Sequence, residues 1–182
     1  MSRISIPTVD NSAAASKPLL AAVQKQLGVV PNLMKLVGHS PAALEGYLSL
    51  NGALGKGKLS VQLRERIALT IAEFNSCDYC LSAHDYLGQN VAKLSRSELD
   101  NARNGQSEDA STQAALQFAL RVAQLRGRVG DADIATLRLA GFDEVAVIEI
   151  VANVAVNVLT NYINNVAQTA IDFPVVNAKL GT

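Results

Sequence analysis

Apolar residues recur at steps of three and four almost from end to end of this 182-residue chain. That is the period of helices packed on a core, not the strict alternation of half-buried strands. The pattern predicts an all-α fold, a single-domain multi-helix bundle of about eight helices joined by short loops. Ser16, with Pro18 in the first turn, opens a helix running to Gly28, and "PNLMKLVGHSP" reads as a short helical piece. Ser40 and Pro41 start "AALEGYLSLNGALG". Ser60 then opens "VQLRERIALTIAEFNS", whose Leu63, Ile67, Ile71 and Phe74 form one core stripe. A new helix begins near Cys77, and Ser95 to Glu98 has the spacing of a capping box. "STQAALQFALRVAQLRG" stops at Gly127, Asp131 begins "ADIATLRLAG", and Asp143 caps a long final helix from Glu144 to about Gln168. The ending "AIDFPVVNAKLGT" reads as irregular chain lying over a neighbour.

The final helix carries Glu149, Asn153, Asn157 and Asn161 at four-residue steps, with apolar residues around the rest of its circumference. A helix so apolar is buried, in the monomer core or against another subunit. Its polar stripe is expected to be a solvated edge; the alternative places Asn153 or Asn157 in a polar cavity beside the thiols.

Composition narrows the function classes. Lysine plus arginine balance aspartate plus glutamate at zero net charge, and the pI is near 6.7, so the basic footprint of a nucleic-acid binder is absent. The amino-terminal segment has no apolar core of a signal peptide, and no uninterrupted apolar run reaches the length of a membrane span. A soluble, cytoplasmic protein is expected, with neither nucleic acid nor membrane as a partner. The first 39 residues read as a helical arm joined to a main helical domain over 40–182, the two forming one compact unit.

Both cysteines and one of the two histidines fall inside "NSCDYCLSAHDYLG". A Cys-x-x-Cys pair opening a helix meets free amide N–H groups and the positive end of the helix dipole, which favour the thiolate. Peptide geometry lets these two sulfurs close a small disulfide. Cys80 and His84 are four apart, hence on one helical face, so the imidazole can take the Cys80 proton directly or through one water. An imidazole acting as base works better when a carboxylate orients it, and the preceding helix offers Glu65 and Glu73. Glu65 lies about 18 Å of helix before Cys77 while His84 returns only about 10 Å, so helix arithmetic favours Glu73. The other histidine, His39, reads as structural or solvent-facing. Zinc would need four ligands, and Cys77, Cys80 and His84 do not have the spacing of the usual fingers, so no bound metal is expected.

The segment "RERIALTIAEFNSCDYCLSAH", Arg64 to His84, resembles the signature of the alkylhydroperoxidase D-like, carboxymuconolactone decarboxylase superfamily: Glu, eleven intervening residues, Cys-x-x-Cys, three residues, His. The stretch from about Ser40 to Gln124 resembles the core of that family, and "VANVAVNVLTNYINNVAQTAIDFP" resembles the end of its peroxidase-related branch. The resemblance implies an all-helical homotrimer or homohexamer and a cysteine pair that reduces hydroperoxides, with no bound cofactor. It implies Glu65 as the far end of a proton relay, His84 as its middle, Cys80 as the activated thiol and Cys77 as the partner closing the disulfide. The implied reductant is an external dithiol, a lipoyl group or a small protein thiol. One position departs from the pattern: Tyr79 stands where the best-known branch has a second histidine, so Tyr79 is expected to donate a hydrogen bond in its place. Two other classes stand beside peroxide reduction, a lactone decarboxylase-like lyase and a non-enzymatic thiol redox sensor or assembly protein.

Overall fold

A computed structural model describes residues 2–179. The described residues form nine α-helices and no strand: α1 (Lys17–Leu27), α2 (Asn32–Val37), α3 (Pro41–Leu54), α4 (Val61–Phe74), α5 (Asp78–Asn90), α6 (Arg96–Arg103), α7 (Ala110–Leu125), α8 (Asp131–Leu139) and α9 (Glu144–Ala167). The fold is all-α, as the periodicity predicts. The ninth helix is the short piece at Asn32, which makes a full helix of its own.

Capping chemistry explains most of the boundaries. The side chains of Ser40, Ser60, Asp109 and Asp143 each accept a hydrogen bond from a first-turn amide, and Ser95 with Glu98 forms the reciprocal box. Ser16 is different. Its hydroxyl donates to the Gly38 carbonyl at 2.7 Å and caps nothing, so it ties the start of α1 to the end of α2. Gly28 closes α1 at φ 76°, a left-handed conformation that glycine adopts without strain.

Helix α4 is the centre of the bundle, packed by α5, α6, α7 and α9. All six residues from Ile67 to Ala72 are buried, so this helix is enclosed on nearly every side, not along one stripe. Phe74, expected on that stripe, is 44% exposed because the helix ends there and its last turn emerges from the core. The segment read as an arm shares this core: Leu20, Val23, Leu33 and Val37 belong to the same apolar cluster as Ile67, Leu81 and Leu116.

The carboxy-terminal segment lies over its own chain, which corrects the expectation of a neighbour. Asp172 accepts from the Tyr79 hydroxyl and the Asn32 amide, the Val176 amide donates to Ser82, and the Ala178 amide donates to Asp78. Phe173 sets its ring edge-on against Tyr79, centroids 5.8 Å apart. This strap therefore crosses α5; its last three residues lie outside the described residues.

Polarity on α9 is the reverse of expectation. Asn153, Asn157, Asn161 and Asn164 are buried, Asn161 completely, whereas Ile148 is 68% exposed, Val166 64% and Tyr162 58%. The solvated-edge reading of the asparagine stripe is therefore wrong. Asn153 and Asn157 turn their amides back onto the Glu149 and Asn153 carbonyls of their own helix, and Asn161 accepts from Asn75 beyond the end of α4. By length and mean hydropathy of 1.5 this helix is long and apolar enough to cross a membrane; in the fold it packs along α4 with its amides inside.

Candidate active site

The turn between α4 and α5 builds the site. The Cys77 amide donates to the Ala72 carbonyl and the Ser76 amide to the Glu73 carbonyl, the paired bonds of a Schellman ending, with Ser76 left-handed at φ 50°. The chain reverses within two residues and Cys77 becomes the N-cap of α5. Its sulfur occupies the position a serine oxygen normally holds, accepting from the Cys80 amide at 3.3 Å. Cys77 and Cys80 are paired as a disulfide with Cα atoms 5.3 Å apart, and both are buried.

One turn further along α5, His84 meets Glu65 from α4, Nδ1 to Oε2 at 2.8 Å. A carboxylate can only accept, so the Nδ1 hydrogen points at Glu65 and Nε2 is the nitrogen left free for exchange. Both side chains are part-buried, at 23% and 17% exposure, enough to reach solvent while shielding their contact from full screening. Glu73 takes no part in this pair. Its carboxylate binds Arg103 Nε at 2.6 Å and accepts from the Lys179 amide, joining α4 to α6 and the strap. In the disulfide state no hydrogen bond links His84 to either sulfur among the described residues; Cys80 Sγ receives one from Asn164 Nδ2 at 3.3 Å instead.

Tyr79 does donate a hydrogen bond, but to Asp172 of the strap at 2.8 Å, while it accepts from the Leu33 amide at 3.0 Å. Burial first, and then the Asp172 carboxylate, push its phenol well above the ordinary tyrosine range, so it stays protonated. Neither Asn153 nor Asn157 is hydrogen-bonded to a sulfur. His39 bonds the Ser5 carbonyl at 2.8 Å, far along the chain from the cysteines. Among the described residues no three His, Cys, Asp or Glu side chains gather as a metal site.

Two residues were not legible as site residues in the sequence. Asn164 continues the buried amide stripe by a three-residue step, and that continuation was the available signal. Tyr47 on α3 lies near Glu65: burial first, and the Glu65 charge second, push its phenol up to about 12. Nothing in its local sequence marks it.

A pocket of about 230 Å3 opens beside the first turn of α5, between Ser76, Asp78 and Tyr79 on one side and Asn164, Gln168 and Thr169 on the other. Its lining is mostly polar, and it meets the disulfide across Asn164.

Residues 41–125 match the carboxymuconolactone decarboxylase family. A search of the curated proteins found no match. Among solved structures, the alkylhydroperoxidase AhpD core of an uncharacterized peroxidase-related protein from Ralstonia eutropha JMP134 is 26% identical, covers 94% of this chain and 92% of its own, and superposes with a TM-score of 0.84. An uncharacterized peroxidase-related protein from Silicibacter sp. TM1040 is 22% identical over 93% of this chain and 91% of its own, with a TM-score of 0.81. A cysteine-to-alanine form of the debrominase Bmp8, in complex with 2,3,4-tribromopyrrole, is 21% identical over 93% of this chain and 91% of its own, and shares the fold at a TM-score of 0.75. In its match over residues 41–125 and in its helical architecture, the chain is similar to proteins of the alkylhydroperoxidase D-like, carboxymuconolactone decarboxylase superfamily.

Proposed function

We propose that the chain is a thiol-dependent peroxidase that reduces hydroperoxides through a Cys77/Cys80 dithiol-disulfide cycle. The observation that carries this reading is the 2.8 Å contact between His84 and Glu65, one helical turn beyond the Cys80 sulfur. In the reduced protein, His84 Nε2 takes the Cys80 proton, and Glu65 stabilises the imidazolium formed. The Cys80 thiolate attacks the terminal oxygen of the hydroperoxide: the S–O bond forms, the O–O bond breaks, and the departing alkoxide takes the proton from His84. The Cys77 thiol then displaces hydroxide from the sulfenic acid, which leaves as water, and the disulfide seen here results. An external dithiol, a lipoyl group or a small protein thiol, returns the pair to the reduced state by exchange. Such a reductant fits a reducing compartment such as the cytoplasm. The exposed apolar face of α9 fits assembly as a homotrimer or homohexamer.

The test is peroxide consumption with dihydrolipoamide as reductant. Cys80→Ser and Cys77→Ser should each abolish turnover, and His84→Ala should lower kcat/KM by about 10²- to 10⁴-fold, the usual worth of a positioned acid-base group. Unchanged turnover in either cysteine variant defeats the proposal. One stoichiometric oxidation with no turnover points instead to a thiol sensor.

A further inference from the structure

Asn164 is 3% exposed, and its two amide heads are unequally served. Nδ2 donates to Cys80 Sγ at 3.3 Å, while Oδ1 is buried with no hydrogen-bond partner among the described residues. The assignment of the two heads follows from chemistry: a disulfide sulfur has lone pairs and no hydrogen, so only the nitrogen can face it. A buried acceptor left unpaired is costly, and native folds rarely carry one without a use. Thr169, 6% exposed, presents a second unpartnered buried atom, its hydroxyl oxygen. Both side chains line the same pocket of about 230 Å3. Two side chains with an unpartnered buried oxygen thus line one polar pocket, and Asn164 connects that pocket to the Cys80 sulfur.

We propose that Asn164 is a catalytic residue of this site, its amide nitrogen holding the Cys80 sulfur and its amide oxygen, with the Thr169 hydroxyl, gripping the O–H of a small hydrophilic hydroperoxide. The substrate half rests on the peroxidase reading above. The two heads of one amide are adjacent, so a hydroxyl held by the oxygen lies next to the sulfur held by the nitrogen. In the reduced protein the Nδ2 hydrogen stabilises the Cys80 thiolate before attack. When the dithiol reductant attacks Cys77, the same hydrogen stabilises Cys80 as the departing thiolate. In the peroxide step, the S–O bond forms to the gripped oxygen, the O–O bond breaks, Cys80 is oxidised to sulfenic acid and the hydroperoxide is reduced to water or an alcohol. The pocket has the volume of about eight waters, and Ile171 is the one aliphatic residue in its lining. That fits hydrogen peroxide or a short alkyl hydroperoxide better than a fatty-acyl chain.

Two measurements test this. In reduced Cys77→Ser protein, the pH profile of Cys80 alkylation by iodoacetamide should move up by about one unit with Asn164→Ala, a tenfold loss of thiolate below the midpoint. Where that variant fails to fold, the isosteric Asn164→Asp, an acceptor in place of the donor, should move it further. An unmoved profile overturns the role at sulfur. In the otherwise native chain, kcat/KM should favour hydrogen peroxide over linoleate hydroperoxide at least tenfold. Thr169→Val should erase that preference by raising KM for hydrogen peroxide while leaving the alkylation profile in place. Equal use of both peroxides, or a Thr169→Val protein like its parent, overturns the substrate assignment. A shifted profile in a chain that reduces no hydroperoxide would defeat the peroxidase reading and keep the sulfur contact.

Discussion

At the scale of single residues, the site separates groups that hold the backbone from groups that face the sulfurs. Tyr79 sits between the two cysteines in sequence, yet its hydroxyl is spent on Leu33 and Asp172, and its ring rests on Phe173. Tyr79→Phe should therefore keep the ring contact and cost about 1–3 kcal/mol, because the buried Leu33 amide and the Asp172 carboxylate both lose a partner. Chemical denaturation measures this. A folded Tyr79→Phe protein should oxidise its cysteines at the parent rate, and a slowed rate would place the phenol in the chemistry. The contact of His84 with Glu65 shows what helix arithmetic misses. Rise along α4 favours Glu73, but Glu65 and Glu73 are eight residues apart, which turns their side chains about 80° from one another around the helix. Angle decides the face: Glu73 looks toward Arg103 on α6 and Glu65 toward His84 on α5. The spaced motif held information that distance along the helix did not.

At the scale of elements, the helix starts were readable because capping is local chemistry. Ser40, Ser60, Ser95 and Asp143 cap as their sequence context implies; Asp109 also caps, two residues before Ser111, where the apolar pattern starts that helix. The turn into α5 was less legible, since its left-handed position holds Ser76 where glycine is usual. A non-glycine residue there costs about 1–2 kcal/mol, part of which glycine returns through its greater loss of chain entropy. Ser76→Gly should thus stabilise the fold by about 0.5–1 kcal/mol, read as a higher denaturation midpoint; an unchanged or lower midpoint would mean the serine is not strained. The caps also set the acid limb of stability. The Thr112 amide holds Asp109 below its ordinary value of 3.8, and Lys58 and the Ala146 amide do the same for Asp143. The Ser95 amide and hydroxyl lower Glu98 from 4.5. A carboxylate held low in the fold binds fewer protons there than in the unfolded chain. Its stabilisation is full above the ordinary value and drains away as pH falls through the depressed one. Stability should accordingly be level above pH 5 and fall from about pH 4 downward. Asp109→Asn keeps a good cap and should shallow that fall, whereas Asp109→Ala should lower the melting temperature at neutral pH.

At the scale of the whole molecule, helix content and the enclosed core were legible because period and burial travel together, while the orientation of α9 was not. Its sequence offers an amide stripe and a wide apolar surface, and periodicity alone cannot say which of them faces inward. The buried amides meet polar groups at the turn from α4 to α5: Asn161 accepts from the part-buried Asn75 side chain, and Asn164 donates to the Cys80 sulfur. The consequence is an apolar face of Val145, Ile148, Leu159, Tyr162 and Val166 turned outward on one helix, with Leu139 nearby in sequence at 91% exposure. Isolated exposed apolar residues are ordinary, but a continuous helical face of them is the kind of surface a partner molecule can cover. If copies of the chain cover it, the parent protein should sediment as a closed oligomer, a trimer or hexamer, and Ile148→Asp with Val166→Asp should reduce it to a single chain with its far-ultraviolet circular dichroism intact. The thiols lie under the opposite, polar side of α9, so the dissociated chain should still form its disulfide with stoichiometric peroxide. A parent chain that sediments as a monomer would remove the assembly, and a dissociated chain that no longer forms the disulfide would show that a neighbouring copy completes the site.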